Sequence, residues 1–74
     1  MGEEIKWVQT PTSLNVSRIG YNAERQWMYV DFIRSGIYKY TGVPEEVWNE
    51  ALNAPSIGKF THEHLKGKYM ASKA

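Results

Sequence analysis

From Gln26 to Ile33 the chain sorts into two interleaved sets, with Met28, Val30 and Phe32 at one parity and Trp27, Tyr29, Asp31 and Ile33 at the other. Only an extended strand sends every second side chain to one face, so this stretch predicts a β-strand with Met28, Val30 and Phe32 turned to a core. Arg34-Ser35-Gly36 follows as a tight turn, its glycine suited to positive φ. Ile37-Tyr38-Lys39-Tyr40-Thr41 then returns antiparallel, and Gly42 ends the sheet region. Upstream, Leu14 to Ile19 alternates more loosely and stops at Gly20-Tyr21-Asn22. Ile5-Lys6-Trp7-Val8 is a short first strand or an arm laid along the domain, set apart by Thr10-Pro11-Thr12-Ser13, where proline lacks an amide donor.

At Pro44 the period becomes helical. Proline suits the first helical position, and Glu45 and Glu46 suit the positive end of a helix dipole. Val47, Trp48, Ala51 and Leu52 share one face, and Asn53-Ala54-Pro55 stops the helix. Thr61 can cap a second short helix, His62 to Lys66, with Gly67 as its stop. Phe60, Leu65 and Tyr69 are its apolar contributions. Three to four antiparallel strands followed by two short helices predict an α+β domain, the helices packed on one face of a curled sheet with Phe32 and Leu52 in the core. The expected segmentation is an arm or strand over 1–11, the domain over 12–69, and a flexible basic tail over 70–74.

Composition bounds how such a domain holds together. The chain has 74 residues, 42% of them hydrophobic and 14% aromatic, and no cysteine. Neither disulfides nor a thiolate zinc site can therefore supplement the apolar core. The acidic start Met1-Gly2-Glu3-Glu4 is unlike a signal peptide, and the longest apolar run is Trp27 to Tyr29. These features predict a soluble, cytoplasmic protein with no membrane association. Nine basic residues against eight acidic give a net charge of +1, which is no footprint of a strong nucleic-acid binder. The charges are unevenly placed, however. Lys59, Lys66, Lys68 and Lys73 face only Glu63 over the last part of the chain, a solvated tail or a basic face able to meet phosphates.

Residues that could carry catalysis are sparse. No serine stands in a nucleophile-elbow context, and there is no glycine-rich phosphate loop. His62 and His64 diverge by about 200° on a helix and lack further ligands. Glu45 and Glu46 are explained by the helix dipole, and Asp31 by a pairing with Lys39 or Arg18. No catalytic residue, cofactor or metal is expected, which predicts a non-enzymatic binding module. Trp27 and Tyr29 face away from the helices with Lys39 on the adjoining strand and Arg18 or Arg34 close by. Rings beside cations on a sheet hold single-stranded nucleic acid by stacking and phosphate pairing, although the same rings could simply pack under the Trp7 arm. Tyr38 and Tyr40 share one face and Lys39 takes the other. Either the two tyrosines are core and Trp27, Tyr29 and Lys39 are the site, or the tyrosines line a groove beside the helices. The partner classes are RNA or another single-stranded nucleic acid, and alternatively a protein, as for a small inhibitor or adaptor. Near-zero net charge and exposed tryptophans favour the second.

Ser17-Arg18-Ile19-Gly20-Tyr21-Asn22, then Tyr38-Lys39-Tyr40 after Gly36, then Val43-Pro44 and Val47-Trp48, resemble the KTSC domain. Ala54, Ser56, Gly58, Phe60, Leu65-Lys66 and Tyr69 fit its second half, so the resemblance spans about residues 12 to 69. That domain is named for its place at the C-terminus of some lysyl-tRNA synthetases, and it also occurs alone in small bacterial and phage proteins. The resemblance implies RNA binding, suggested by that fusion, and brings no catalytic residues. Thr61 and His62 depart from it, standing where the family often has an aromatic and an asparagine. Trp7 lies outside it.

Overall fold

The parity of Met28 and Val30 is realised in β3 (Trp27–Phe32), where both are fully buried at the centre of one antiparallel sheet. The structure is a computed structural model that describes residues 4–10 and 14–74. Its sheet is a meander in the order β1 (Lys6–Gln9), β2 (Val16–Asn22), β3, β4 (Gly36–Tyr40) and β5 (Ala71–Lys73). Between β4 and β5 the chain forms α1 (Glu45–Leu52) and α2 (Ile57–Phe60), which runs on into a π turn over Thr61–Leu65. This is the α+β arrangement expected, with five strands where three or four were read. The break expected at 11–13 and the acidic start at 1–3 lie outside the described residues.

β2 alternated loosely in the sequence because it carries a bulge. Register shifts between Val16 and Arg18, so Ser17 is extra, and the chain resumes with Arg18 opposite Asp31 and Ile19 opposite Val30. Val16, Ile19 and Tyr21 thereby all reach the core despite uneven spacing. Gly36 takes φ 89° in the β3–β4 turn, as its position suggested.

The core forms where the helices meet the Val16, Ile19, Tyr21, Met28, Val30 and Tyr40 face. Trp48 and Ala51 of α1 enter it, and the Tyr21 and Trp48 rings stack with centroids 5.3 Å apart. The Tyr21 hydroxyl donates to the Val43 carbonyl at 2.6 Å, and the Val43 amide donates to the Gln26 carbonyl at 2.8 Å. Two expected core residues are placed differently. Phe32 is half-buried, and Leu52 is 41% exposed because an eight-residue helix buries the strip through Trp48 and Ala51, and Leu52 lies past its edge. Pro44 stands just outside α1 with extended backbone instead of in its first turn.

The second helix also begins earlier than expected. Ser56 caps it, accepting from the Lys59 amide at 3.3 Å, so Ile57 and Phe60 are buried within α2. Thr61 is not its cap. The Thr61 hydroxyl donates to the Ile57 carbonyl at 2.9 Å, a back-bond that loosens a helix, and the Lys66 amide then reaches the Thr61 carbonyl five residues back at 2.9 Å. Ala71–Lys73, expected in a free tail, pairs along β4.

On the opposite sheet face Trp7 lies across Gly20. A Cβ at Gly20 would stand 2.8 Å from Trp7 Cε3 and 2.9 Å from Ile5 Cγ2, so this glycine is needed for space. Gly20→Ala should therefore destabilise by about 1–3 kcal/mol, and by less in a Trp7→Ala background. Urea melts of the two single variants and the double variant check this; equal penalties in both backgrounds would show that the ring is not what the glycine accommodates.

Burial holds the Tyr21 hydroxyl above its ordinary value of 10.0, helped by the nearby Glu45 carboxylate. Burial likewise raises Tyr40, with a smaller contribution from Tyr38. The unfolded chain ionises these phenols first, so their contribution is intact below the ordinary value and is lost as pH rises through the folded values. Tyr21→Phe should cost about 1–3 kcal/mol at neutral pH by leaving the Val43 carbonyl unpaired. The gap should narrow at strongly alkaline pH, where only the parent loses the Tyr21 contribution. Denaturant midpoints of both proteins across that range test it.

Candidate ligand groove

Four of the residues singled out in the sequence, Arg18, Trp27, Tyr29 and Lys39, share the sheet face that the helices leave uncovered. Register confirms the placement: Trp7, Gly20, Tyr29, Lys39 and Ser72 run across the five strands in one row. The cations here are already engaged. Arg18 Nε donates to Asp31 Oδ2 at 3.1 Å while its guanidinium lies 3.9 Å over the Trp7 ring. Lys39 Nζ sits 4.1 Å over Trp27, and Arg25 lies 4.9 Å over the same ring. Trp7 and Tyr29 approach at 5.9 Å. A ligand on this face would have to displace cation–π contacts that the protein makes with itself.

Tyr38 and Tyr40 lie on the other face, where the helices stop short of the sheet edge. Tyr40 is buried, and Tyr38 is half-buried with Phe32 edge-on to it at 5.7 Å. Beside them runs a groove of about 940 Å³. Phe32, Tyr38, Tyr69 and the buried Tyr40 supply its rings. Arg34, on the β3–β4 turn, contributes one cation, and Lys59 and Lys66 contribute two more from the helical side, together with His62. None of its lining residues is Asp or Glu. All four basic side chains are exposed, and among the described residues none of Arg34, Lys59 and Lys66 has an ion-pair partner. Uncompensated cations around aromatic rings suit an anion that carries flat apolar groups.

The six expected site residues are thus divided between two faces. Arg18, Trp27, Tyr29 and Lys39 are together but mutually occupied; Tyr38 and Tyr40 line the open groove. Phe32, His62 and Tyr69 are additions to the expected set; Arg34, expected near Trp27 and Tyr29, lines this groove instead, with Lys59 and Lys66 of the basic run. The run of lysines after Lys59 was the one available signal. The π turn separates the two histidines: His62 lines the groove, and His64 stacks on Phe60 with ring centroids 4.6 Å apart. Among the described residues no group of three His, Cys, Asp or Glu could hold a metal ion, and no helix is long and apolar enough to cross a membrane. A smaller hollow of about 410 Å³, between β1 and the α1–α2 corner, has no charged residue in its lining.

Comparison with known proteins places these features in a family. The KTSC domain family profile matches residues 12–69. A lysine–tRNA ligase of Trichormus variabilis is 32% identical over 59 residues, which is 80% of this chain and 10% of the ligase. An uncharacterized protein of Stutzerimonas stutzeri is 32% identical over 57 residues, covering 77% of this chain and 80% of that protein. The chain therefore spans about a tenth of the ligase and most of the stand-alone relative. The crystal structure of a KTSC domain protein from Yersinia pestis superposes with a TM-score of 0.90 at 28% identity, over 96% of this chain and 99% of that one. The chain belongs to the KTSC domain family.

Proposed function

We propose that this domain is a non-enzymatic module that binds a short stretch of single-stranded RNA in the groove beside Tyr38. The groove's composition carries the reading: rings at Phe32, Tyr38 and Tyr69, cations at Arg34, Lys59 and Lys66, and no carboxylate in the lining. Bases stack on rings and phosphates pair with lysine and arginine, which needs both groups in one concavity. A duplex keeps its bases stacked inside, so rings in a groove meet base faces only where the strand is single. The family supports an RNA ligand, since one relative is an enzyme named for tRNA.

A protein partner is the second reading, and one observation favours it. Leu14 and Ile33 are 92% and 57% exposed at one end of the groove, held side by side by the Ile33 amide donating to the Asn15 carbonyl at 2.9 Å. Apolar side chains so placed suit a protein surface better than a phosphate backbone.

Titration of a labelled single-stranded oligonucleotide separates the readings. Tyr38→Ala should weaken binding by roughly 1–3 kcal/mol, the usual worth of a stacking ring. With three permanent cations in the groove, affinity should fall with salt at a log–log slope of roughly −2. Lys59→Gln and Lys66→Gln should each flatten that slope, while Trp27→Ala and Lys39→Ala on the other face should bind as the parent does. Weakening confined to the last two would move the site to the uncovered sheet face. Weak binding that no variant alters would remove the nucleic-acid reading and leave the protein partner.

A further inference from the structure

β5 is an unusual strand, because Ala71, Ser72 and Lys73 are all exposed and none joins the core. Backbone pairing alone holds it. The ladder to β4 is closed at one end by the Thr41 amide donating to the Met70 carbonyl at 3.0 Å. At the other end the Ala74 amide donates to the Ile37 carbonyl at 2.8 Å. Its side chains are therefore available for something other than packing, and the register decides what they meet.

Ala71 stands opposite Tyr40 and Lys73 opposite Tyr38. Directly opposed residues share a sheet face, so both lie on the side that the helices cover, whereas Ser72 joins Lys39 on the other; of the two, Ala71 is in the groove lining and Lys73 stands just beyond it. Ala71 lines the groove, and its methyl is too short to cover the tyrosine floor. Lys73 lays its stem over Gly36, with Cε 3.7 Å from where a Cβ on that glycine would stand. The missing side chain at Gly36 leaves that path open toward the turn that carries Arg34. Unlike Lys39, which sits on Trp27, Lys73 has neither a ring nor a carboxylate partner among the described residues.

We infer that β5 is the outer wall of the groove and that Lys73 contacts a ligand phosphate, across Tyr38 from Lys59 and Lys66. This rests on the single-strand reading of the groove and extends it to a strand beyond the 12–69 span that the family profile matches. A backbone tracked by cations on two walls is held along its length, with its bases over the rings between them. The site would then be built from β3, β4, the helical segment and β5 together.

The test uses the full chain and a short fluorescein-labelled oligouridylate at several salt concentrations. Lys73→Gln should bind roughly five- to tenfold more weakly at low salt, with a slope flatter by about 0.7, the share of one single-strand phosphate. Lys73→Arg should restore binding. Lys68→Gln, which removes an exposed lysine that stands on no strand of the proposed wall, should bind as the parent does. The thermal midpoint of Lys73→Gln should match the parent, since β5 buries no side chain. Parent-like binding by Lys73→Gln, with Lys66→Gln impaired, would overturn the assignment of β5 while sparing the groove. An equal loss in Lys68→Gln would reduce the effect to bulk charge and overturn it too, and no binding by the parent would remove both readings.

Discussion

Tyr21 joins the sheet, α1 and the connector between them through one side chain. Its ring lies on Trp48, which fixes α1 over β2, and its hydroxyl holds the Val43 carbonyl in the connector that precedes α1. The Val43 amide in turn secures the Gln26 carbonyl, whose residue sits at φ 58° in the β2–β3 turn. One aromatic side chain thereby sets the distance between sheet and helix at the point where the chain leaves the sheet. Everything downstream inherits that placement: the α1–α2 corner, the Ser56 cap and the helical wall of the groove. In a domain with so little surface to bury, a fully satisfied polar group in the core does more to choose one packing than another methyl would.

The alternation of β3 and the glycine of its turn were legible because both derive from period and φ alone. Other elements were hidden for identifiable reasons. The Ser17 bulge shifts the parity of β2 midway, so no single alternation describes it. Ser56 and Thr61 are equally good caps by residue type, and only the direction of each hydroxyl bond separates them: one accepts from an amide ahead, the other donates to a carbonyl behind. β5 has no apolar pattern because it buries nothing; the free edge of β4 makes it a strand.

The candidate site shows the same division. Parity correctly put Trp27, Tyr29 and Lys39 on one face and Tyr38 and Tyr40 on the other, but parity is silent on who is already partnered. On the uncovered face aromatic rings and cations contact each other, so a ligand there would first have to displace those contacts. The groove reads as unremarkable because its cations come from a turn and a helical segment that are far apart in sequence. Charge counted along the chain came near to cancelling, whereas charge sorted by surface does not.

The π turn at Thr61–Leu65 has a bearing on how long this segment must be. A turn closed five residues back holds one residue more than an α-helical turn, and each residue of a helix advances the chain by about 100°. The surplus residue is a phase adjustment, setting the direction in which the chain departs toward Gly67 and the last strand. Within this segment Thr61 is the side chain tied to that direction, through its bond to the Ile57 carbonyl. Loss of one residue would shorten the link between Phe60 and Leu65, both buried in the core, so the length of this segment is a condition of the packing as well as of the groove wall.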